Sequence, residues 1–573
     1  MTMSAEPDDL VVEPGRVDLL SDSQVVGRVH RRADGSFPMV VFRLHGRALR
    51  EIKVQRETSE GLGYFRLPIS ANLHRFIPGP EVIALEVDGV ALPVHECTLT
   101  RRAPSAGQEE LDALLDQGHF LTKFGGLRLP LELDVEWQER TFHHYERSRA
   151  MMRDLFGYDL HVAYGTLLGL VREGGFIDSD DDFDTTYHSR LHEPHEIRDE
   201  LVEITSTLAG MGEDVQIVQG NFLHWYIRVD GVLTKIDIFP AWTKGEDYFQ
   251  AHTTGGPVAH ALEAGYHEVP FKGRTVSVPV NAEVALELAY GAGWRVPDPL
   301  YQSTMQPAAA ATMYAARAVP EQTSRVQWER HWAGAAPRDG GSEFARYVES
   351  RLGRGLRRVV DLGCGDGTDA AVLAAKREVL GLDASRAAVA LASRARQGTG
   401  AEFERLDLGA AHELAARLRR FAEGRPLAVY ARELLESVTA GTQDVVLDVL
   451  RDVLVPGSRV CFELSLAESR APSANAPLVR KVDAREVAQR LGRGRLFAVV
   501  EMVEKDAGGP VRLILRRRTA AEVATLRGLA RGRRTVRRLG ARVQKRARRF
   551  FRRARRRLRT TASQGGSRRS DSP

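Results

Sequence analysis

Three aspartates at alternate positions are the residues of this chain whose spacing most directly predicts chemistry. Asp180, Asp182 and Asp184 stand in the segment 161–187, which reads HVAYGTLLGLVREGGFIDSDDDFDTTY. Phe183 separates the last two, which is the period of a β-strand and places both carboxylates on one face. Carboxylates this close repel each other and are tolerated when a divalent cation lies between them. The pattern therefore predicts a site that holds a metal ion and a phosphate.

A turn and a second strand supply the other parts of this predicted site. Gly165-Thr166 ends the apolar run before the acids, where backbone N–H and hydroxyl groups can reach a phosphate. The segment HWYIRVDGVLTKIDIFPAW, 224–242, predicts a hairpin with Asp237 inside an apolar run. An unpaired carboxylate in a buried strand is costly, so we expect Asp237 to be a third metal ligand. The alternative, a solvated acidic turn or calcium-like loop at 180–184, leaves the turn and Asp237 unexplained.

The order of these elements resembles a known family. The pattern GTLLG-x-R-xx-GFI followed by D-x-D-x-D looks like the LicD/fukutin-like branch of the nucleotidyltransferase fold. The segment LELAYGAGWRVPDP, 286–299, is similar to that family's closing YG-x-x-W-x-x-P element, so the resemblance covers about 130–300. It implies transfer of a phospho-alcohol, such as phosphocholine or ribitol phosphate, from a CDP-activated donor to a glycan.

The resemblance also implies roles for individual residues. It makes Asp182, Asp184 and Asp237 ligands of Mg²⁺ or Mn²⁺, and Asp180 a metal-binding or general-base residue. Phosphoryl transfer depends mainly on positioning and charge neutralisation. We therefore expect Arg172 to neutralise charge on the leaving diphosphate, with Gly165 and Thr166 at the donor phosphates.

A glycine-rich turn predicts a second ligand site in RVVDLGCGDGTDAAVLA, 358–374. Gly363, Gly365 and Gly367 follow an apolar strand and precede a helix, where glycines let the backbone approach a ligand closely. A second strand, REVLGLDAS, ends about 20 residues later in Asp383, where an acid can accept hydrogen bonds from ribose hydroxyls. A G-x-G-x-G turn alone also fits a dinucleotide site.

The wording DLGCGDG with GLDAS resembles class I S-adenosylmethionine-dependent methyltransferases. Similar elements follow in order over about 325–515, namely EFERLDL, PLAVYARELLESV and VLVPGSRVCFEL. The resemblance implies S-adenosylmethionine as cofactor, held by Asp361, Gly363, Gly365, Gly367, Asp383 and Asp407. The fourth motif departs from the family, because Glu433 and Glu436 stand where relatives often carry an aromatic residue and a His. The methyl acceptor therefore stays open, and a degenerate, structural methyltransferase domain is the alternative.

Composition limits the class of protein and its compartment. A chain of 573 residues with 43% hydrophobic content is typical of about three or four soluble globular domains. Cys97, Cys364 and Cys461 are far apart, which predicts a reducing compartment without a disulfide framework or zinc site. No run of about 18 apolar residues occurs, and the acidic amino terminus lacks a signal-peptide core. We therefore expect a cytoplasmic protein.

The chain is predicted to be multidomain. Residues 22–104 alternate in short apolar runs separated by Gly, Asp and Pro, which is typical of an antiparallel β-sandwich. Its expected role is glycan or partner binding, or that of a spacer. The predicted parts are a disordered segment at 1–20, a β-sandwich-like domain at 21–105, an α+β nucleotidyltransferase-fold phosphotransferase domain at 106–300, a helical or flexible linker at 301–324, an α/β Rossmann-like methyltransferase domain at 325–515 and a basic tail at 516–573.

The tail concentrates the positive charge of the chain. Residues 516–573 contain 22 basic and 2 acidic residues, a net charge of +20 that leaves −15 on the rest, since the whole chain carries +5. Apolar residues recur there at spacings of three, four or seven: Leu526, Leu529, Val536, Leu539, Val543, Ala547, Phe550, Ala554 and Leu558. This stripe predicts a basic amphipathic helix on an anionic membrane surface. Nucleic-acid binding and a solvated tail are the alternatives.

Together these patterns predict a bifunctional, bacterial-type enzyme at the inner face of the cell membrane. It would modify a cell-surface glycan (capsule, teichoic acid or lipid-linked polysaccharide) by phospho-alcohol transfer and by methylation. The alternatives are a nucleotidyltransferase acting on nucleic acid, and a scaffold with a degenerate methyltransferase domain.

Overall fold

The computed structural model describes residues 14–101, 103, 106–178, 180–298, 301, 305–465, 479–504 and 509–526. The predicted amphipathic helix over 526–558 lies outside these residues except for Leu526. The chain divides into two compact units, Met1–Leu208 with Glu213–Val319, and Ala209–Gly212 with Pro320–Pro573. Within the described ranges, no helix combines the length and the apolar composition that crossing a bilayer requires.

The first unit begins with two β-sheets. Their strands are β1 (Gly15–Leu20), β2 (Gln24–Val29), β3 (Val40–Leu44), β4 (Arg47–Ile52), β5 (Arg56–Glu57), β6 (Gly63–Pro68), β7 (Ile83–Val87), β8 (Val90–Ala91) and β9 (Val94–Cys97), with the short helix α1 (Ala71–His74) after β6. One sheet has the order β5-β6-β2-β1-β9 and the other β4-β3-β7-β8. Apolar side chains alternate toward one shared hydrophobic cluster, which contains Val17, Phe42 and Phe65. The prediction of disorder over 1–20 therefore fails for β1, because its buried side chains join this core.

A connecting segment packs on the same core. It consists of α2 (Gln108–Asp116) and a hairpin of β10 (Phe120–Leu121) and β11 (Leu127–Arg128). Leu111, Leu121 and Leu127 belong to the cluster formed by the two sheets. These three leucines fall within 106–300, predicted as the phosphotransferase domain, but they are part of the amino-terminal core.

The rest of the first unit is built on a central mixed sheet of order β12-β13-β16-β15-β14, to which β17 and β18 are added. Its elements are α3 (Val135–Phe156), β12 (His161–Val162), α4 (Tyr164–Leu168), β13 (Asp184–His188), α5 (Pro194–Gly210), β14 (Asp214–Val218), β15 (Phe222–Val229), β16 (Val232–Lys244), β17 (Asp247–Gln250), β18 (Thr254–Gly256), α6 (Ala259–Leu262), β19 (Tyr266–Phe271), β20 (Arg274–Pro279), α7 (Ala282–Tyr290) and α8 (Pro307–Ala315).

Helix α8 lies in the segment predicted to be a helical or flexible linker. Ala309 and Met313 are buried against Trp242 and Phe249, so this segment is partly packed. The physical reason is its run of small apolar residues, which allows close approach to the sheet.

The second unit has one doubly wound sheet of order β23-β22-β21-β24-β25-β27-β26. Its elements are α9 (Pro320–Ala333), α10 (Glu343–Arg351), β21 (Arg358–Leu362), α11 (Thr368–Ala374), β22 (Glu378–Asp383), α12 (Arg386–Ala395), β23 (Ala401–Arg405), α13 (Ala411–Ala422), β24 (Ala428–Arg432), α14 (Ala440–Val453), β25 (Arg459–Leu464), α15 (Ala484–Leu491), β26 (Phe497–Glu504) and β27 (Val511–Arg517). Strands β21 to β25 pair in parallel, and β27 is antiparallel to both neighbours. The strand order reverses between β21 and β24, the point at which open α/β sheets bind ligands. This is a Rossmann-like architecture.

Candidate functional site

Sheet register brings the predicted acidic ligands of the first unit together. Strands β13 and β16 are parallel, and Asp184 is the register partner of Asp237. Residues opposite each other on neighbouring strands share a face of the sheet, so both carboxylates point the same way. Asp182 completes a group whose ligand oxygens all lie within 4.8 Å of one another. Asp182 precedes β13, so the predicted strand begins only at Asp184.

The Gly165-Thr166 turn holds the start of β13. The Gly165 N–H donates to Asp184 Oδ2 at 3.0 Å, and the Asp184 N–H donates to Thr166 Oγ1 at 2.9 Å. A Cβ at position 165 would lie 2.2 Å from Asp180 Oδ2, so glycine permits that carboxylate to approach. In this structure the groups expected to bind phosphate are therefore engaged with Asp184.

The carboxylates perturb each other strongly. Burial, followed by the charge of Asp182, raises the pKa of Asp180 and of Asp184 well above the usual range. The same causes raise the pKa of Asp181, between them in sequence, to about 6. Such shifts mark negative charge that lacks a full counter-charge, which is the condition that a divalent cation relieves.

Two basic side chains that were not predicted as site residues lie beside Asp237. Lys235 Nζ lies 2.9 Å from Asp237 Oδ1, and His224 Nε2 lies 3.4 Å from Oδ2. Burial tends to raise the pKa of Asp237, but the hydrogen bond with His224 and the charge of Lys235 outweigh it, so this pKa is lowered. Lys235 shares a strand face with Asp237 because two positions separate them, a signal that was present in the sequence. His224 is the antiparallel register partner of Asp237.

Arg172 contacts Glu173 and the YG-x-x-W element. It lies in a π-helical turn, Gly169–Glu173, that continues α4. Its Nε donates to Glu173 at 2.7 Å, and its Nη1 donates to the Trp294 carbonyl oxygen at 3.1 Å. These contacts join the turn to the YG-x-x-W element. Tyr290 of that element has a pKa raised by burial and by the charges of Asp184 and Asp180, so its hydroxyl lies in the field of the acidic group.

The donor set of the first unit fits a hard divalent cation. Asp182, Asp184 and Asp237 each offer a carboxylate oxygen to one point, and oxygen ligands select Mg²⁺ or Mn²⁺ over thiophilic metals. Burial and the charges of Asp182 and Asp180 raise the pKa of Asp184, a condition that a bound cation would relieve. The residues present can therefore hold such an ion.

The glycine turn of the second unit requires glycine at all three predicted positions. Gly363, Gly365 and Gly367 have φ angles of 70°, 54° and 70°, in the left-handed region. A Cβ would also lie 2.8 Å from Leu434 at position 363, 2.6 Å from the Trp332 ring at 365 and 2.6 Å from the Phe403 ring at 367. The backbone is thereby held between β21 and α11.

The predicted acids lie around this turn in different environments. Asp383, at the end of β22, accepts the Gly365 N–H at 3.0 Å and the Ser385 N–H at 2.9 Å, and burial raises its pKa to about 6. Asp361 is buried with a raised pKa, and its Oδ2 has no hydrogen-bond partner among the described residues. Asp407 is exposed and accepts the Gly409 N–H at 2.8 Å. A buried carboxyl oxygen without a partner beside a glycine turn suits a ligand that donates a hydrogen bond.

The two glutamates of the fourth motif also differ. Glu433 follows β24 with φ of 54° and a side chain that is largely exposed. Glu436 is buried, accepts the Ser465 N–H, and has its pKa raised by burial to about 7. Its second oxygen has no partner among the described residues. Glu436, at the position where the resemblance implies a His, is thus a buried carboxyl whose pKa is raised toward neutral pH.

Comparisons with known protein families match one segment in each unit. Residues 157–281 match the family model described as LicD/FKTN/FKRP, nucleotidyltransferase domain, and residues 359–457 match a methyltransferase domain model. No curated protein matches the sequence. Both families predicted from the sequence are thereby confirmed.

Several solved structures are similar to part of the chain. A methyltransferase from Anabaena variabilis is 16% identical, with a TM-score of 0.28, over 34% of this chain and 92% of that one. The glycopeptide N-methyltransferase MtfA, complexed with S-adenosylmethionine, is 16% identical, with a TM-score of 0.25, over 31% and 95%. A methyltransferase from Mesorhizobium loti is 20% identical, with a TM-score of 0.23, over 30% and 96%. By its family matches, this chain carries one region similar to LicD-type nucleotidyltransferase domains and a second similar to methyltransferase domains, and both matches indicate a transferase.

Proposed function

We propose that the first unit transfers a phospho-alcohol from a CDP-activated donor to a cell-surface glycan. The observation that carries this proposal is the convergence of Asp182, Asp184 and Asp237 within 4.8 Å, inside the LicD-matched region. Phosphoryl transfer needs a place where negative charge is gathered and held in position, and three converging carboxylates with a divalent cation provide it.

In this proposal Asp182, Asp184 and Asp237 hold Mg²⁺ or Mn²⁺. The bound cation would supply charge neutralisation at the donor phosphates. Gly165 positions Asp184 through its N–H group and leaves room for Asp180, which we assign as a further metal-binding or general-base residue.

Thr166 fixes the first residue of β13 through its hydroxyl. Arg172 anchors the YG-x-x-W element at the site through the Trp294 carbonyl, and we propose that it also adds positive charge near the leaving group.

We propose that the second unit methylates the same glycan, including its newly added group. Asp361, Gly363, Gly365, Gly367, Asp383 and Asp407 are the proposed S-adenosylmethionine-binding residues. The unpartnered Oδ2 of Asp361 supports this assignment, because it offers an acceptor to the cofactor's ammonium group. We propose that Glu436 removes a proton from the substrate group that is methylated, since its raised pKa of about 7 suits a general base near neutral pH.

The transferase proposal is tested by incubating purified protein with Mn²⁺ and labelled CDP-choline, CDP-ribitol or CDP-glycerol, with and without glycan acceptors. Release of CMP that depends on the acceptor is the expected result. Asp182→Asn should abolish it, whereas Asp230→Asn, an exposed turn residue, should leave it unchanged. Incorporation of CMP into RNA from CTP, without acceptor-dependent release, would instead favour the nucleic-acid alternative.

Two further parts complete the proposal. We propose that the two amino-terminal sheets form a β-sandwich domain.

We also propose that the basic tail docks the enzyme on the inner face of the cell membrane. The support for docking is the apolar stripe among the arginines of 526–558. Flotation with anionic liposomes should show binding by the full chain and loss of binding after truncation at residue 520. Equal binding by both proteins would contradict the membrane role.

A further inference from the structure

The hairpin of β10 and β11 is held by the amino-terminal sheets. Arg50 of β4 donates to the Leu121 carbonyl oxygen at 2.8 Å, and Asn72 donates to the Leu127 carbonyl oxygen at 2.9 Å. At the hairpin tip, the Gly125 carbonyl oxygen accepts the Ser70 N–H at 3.1 Å. The tip is therefore fixed by backbone contacts on the amino-terminal side.

The tip fits closely against β6. A Cβ at position 125 would lie 1.9 Å from the Pro68 carbonyl oxygen, a contact that no side chain could make without moving the hairpin. Because the obstructing atom is backbone, a flexible side chain cannot relieve the clash. The position of the hairpin is thus coupled to the fold of the two sheets.

The other side of the same hairpin faces the acidic group. Arg128 Nη1 donates to the Asp181 carbonyl oxygen at 2.7 Å, and Lys123 Nζ lies 3.7 Å from Asp181 Oδ1. Burial alone would lower the pKa of Lys123, but the charges of Asp182, Asp181, Asp180 and Asp184 outweigh it and raise this pKa. Lys123 is therefore a permanently charged group in the field of the proposed metal site.

Lys123 differs from the other cations near the acids. Arg128 is committed to a backbone carbonyl, and Lys235 lies in direct contact with Asp237. The Lys123 side chain is 51% exposed and 3.7 Å from its nearest carboxylate oxygen, so its ammonium keeps donors free for an incoming anion. A mobile ammonium on a long stem is a suitable phosphate-binding group.

We propose that the amino-terminal β domain is part of the phosphotransferase site: its sheets hold the β10–β11 hairpin so that Lys123 binds the diphosphate of the nucleotide-linked donor. The inference rests on the proposed function for the identity of the donor. It assigns the domain a positioning role in catalysis, in contrast to the glycan-binding, partner-binding and spacer roles expected from the sequence.

Lys123→Gln tests the role of the ammonium, with CDP and Mn²⁺ as the probes in calorimetry. Loss of the charge should weaken CDP binding in the presence of Mn²⁺ about tenfold, the low end for hydrogen bonds to charged groups because the lysine is half-exposed. The same change should tighten binding of Mn²⁺ alone, since a cation is removed from the field of the carboxylates. Lys53→Gln, an exposed lysine of the same domain, is the control.

These outcomes separate the inference from the proposed function. If CDP binding is unchanged in Lys123→Gln while wild-type protein binds CDP, the inference is overturned and the proposed function stands. If wild-type protein binds neither CDP nor CDP-alcohols with Mn²⁺, both are overturned. If Lys123 had only a structural role, Lys123→Gln would not weaken CDP binding and at the same time tighten binding of Mn²⁺ alone.

Gly125→Ala tests the role of the domain. Its control is Gly89→Ala, because Gly125 and Gly89 have φ of 76° and 79° but only Gly125 faces a backbone obstruction. Both variants carry similar backbone strain, so the difference between them reports displacement of the hairpin. Gly125→Ala should weaken CDP binding several-fold relative to Gly89→Ala, and should cause little further loss when combined with Lys123→Gln. Equal CDP affinity in the two glycine variants would overturn the inference.

Discussion

Replacing Asp184 by Asn should stabilise the protein without metal and remove the stabilisation that metal provides. Asn keeps the volume of Asp and can still accept the Gly165 N–H through its amide oxygen, so the local geometry is preserved. What changes is one negative charge on a buried side chain that lies within 4.8 Å of its neighbouring carboxylates.

The size of the stability gain in Asp184→Asn follows from the charges around residue 184. Two unit charges 4.8 Å apart interact by about 3.5 kcal/mol at an effective dielectric constant of about 20. Asp237 is balanced by Lys235 at 2.9 Å, so the repulsion that remains comes first from Asp182 and then from Asp180. Partial protonation of the carboxyls relieves some of it, so we expect a gain of about 1–3 kcal/mol at pH 8, or about 2–12 °C in the unfolding midpoint of the first unit.

The assay is thermal unfolding of wild type and variant in EDTA and in saturating Mn²⁺. Wild type should gain stability with Mn²⁺, whereas Asp184→Asn should begin from a higher midpoint in EDTA and gain little. Asp230→Asn, an exposed carboxylate on the β15–β16 turn, should behave as wild type in both buffers. A lower midpoint for Asp184→Asn in EDTA, or a full response to Mn²⁺, would refute the electrostatic reasoning.

Three more predictions concern the two sites. Gly165→Ala should displace the Asp180 carboxylate, since the added Cβ would lie 2.2 Å from Oδ2. We expect metal-dependent turnover to fall at least about tenfold, for a stability cost of about 1 kcal/mol. Gly353→Ala, where the added Cβ meets open space, is the control, and unchanged turnover in Gly165→Ala would contradict the prediction. The pKa of Asp181 is raised from 3.8 to about 6, so the metal-free folded state retains a proton that the unfolded state releases. The free energy of unfolding in EDTA should therefore fall as pH rises from about 4 to about 6, less so in Asp181→Asn, and identical pH profiles would argue against the shift. Asp383→Asn should weaken S-adenosylmethionine binding in calorimetry at least about tenfold. The Gly365 and Ser385 N–H groups donate to different oxygens of Asp383, and in Asn one of those positions becomes an NH₂ donor; wild-type affinity would refute this.

Local patterns in the sequence were sufficient to predict the acids and the glycines. The alternation of Asp182 and Asp184, and the position of Asp237 inside an apolar run, predict a group that the structure brings within 4.8 Å. Asp182 nevertheless lies outside the strand, because β13 begins only where the Asp184 N–H meets Thr166. Alternation predicts which residues can share a face, but hydrogen bonds at the end of a strand decide where that strand starts.

The contacts of His224 and Lys123 with the acids could not be predicted in the same way. His224 meets Asp237 only through the antiparallel register of β15 and β16, and Lys123 reaches Asp181 only because the hairpin docks on a separate pair of sheets. Neither contact leaves a periodic signal near the residue itself. In the second unit, the glycines were predicted from their motif, while the obstruction of Gly365 by the Trp332 ring depends on packing of α9.

The parallel pairing of β13 with β16 makes the acidic group a reporter of folding. A parallel pair cannot close through a tight turn, so the long connection that contains α5, β14 and β15 must cross over before Asp184 and Asp237 meet. No isolated hairpin or short fragment of the chain can reproduce that meeting. Capture of a Mn²⁺ ion during refolding should therefore appear only with completion of the central sheet, as a late step whose rate follows the slow formation of long-range contacts.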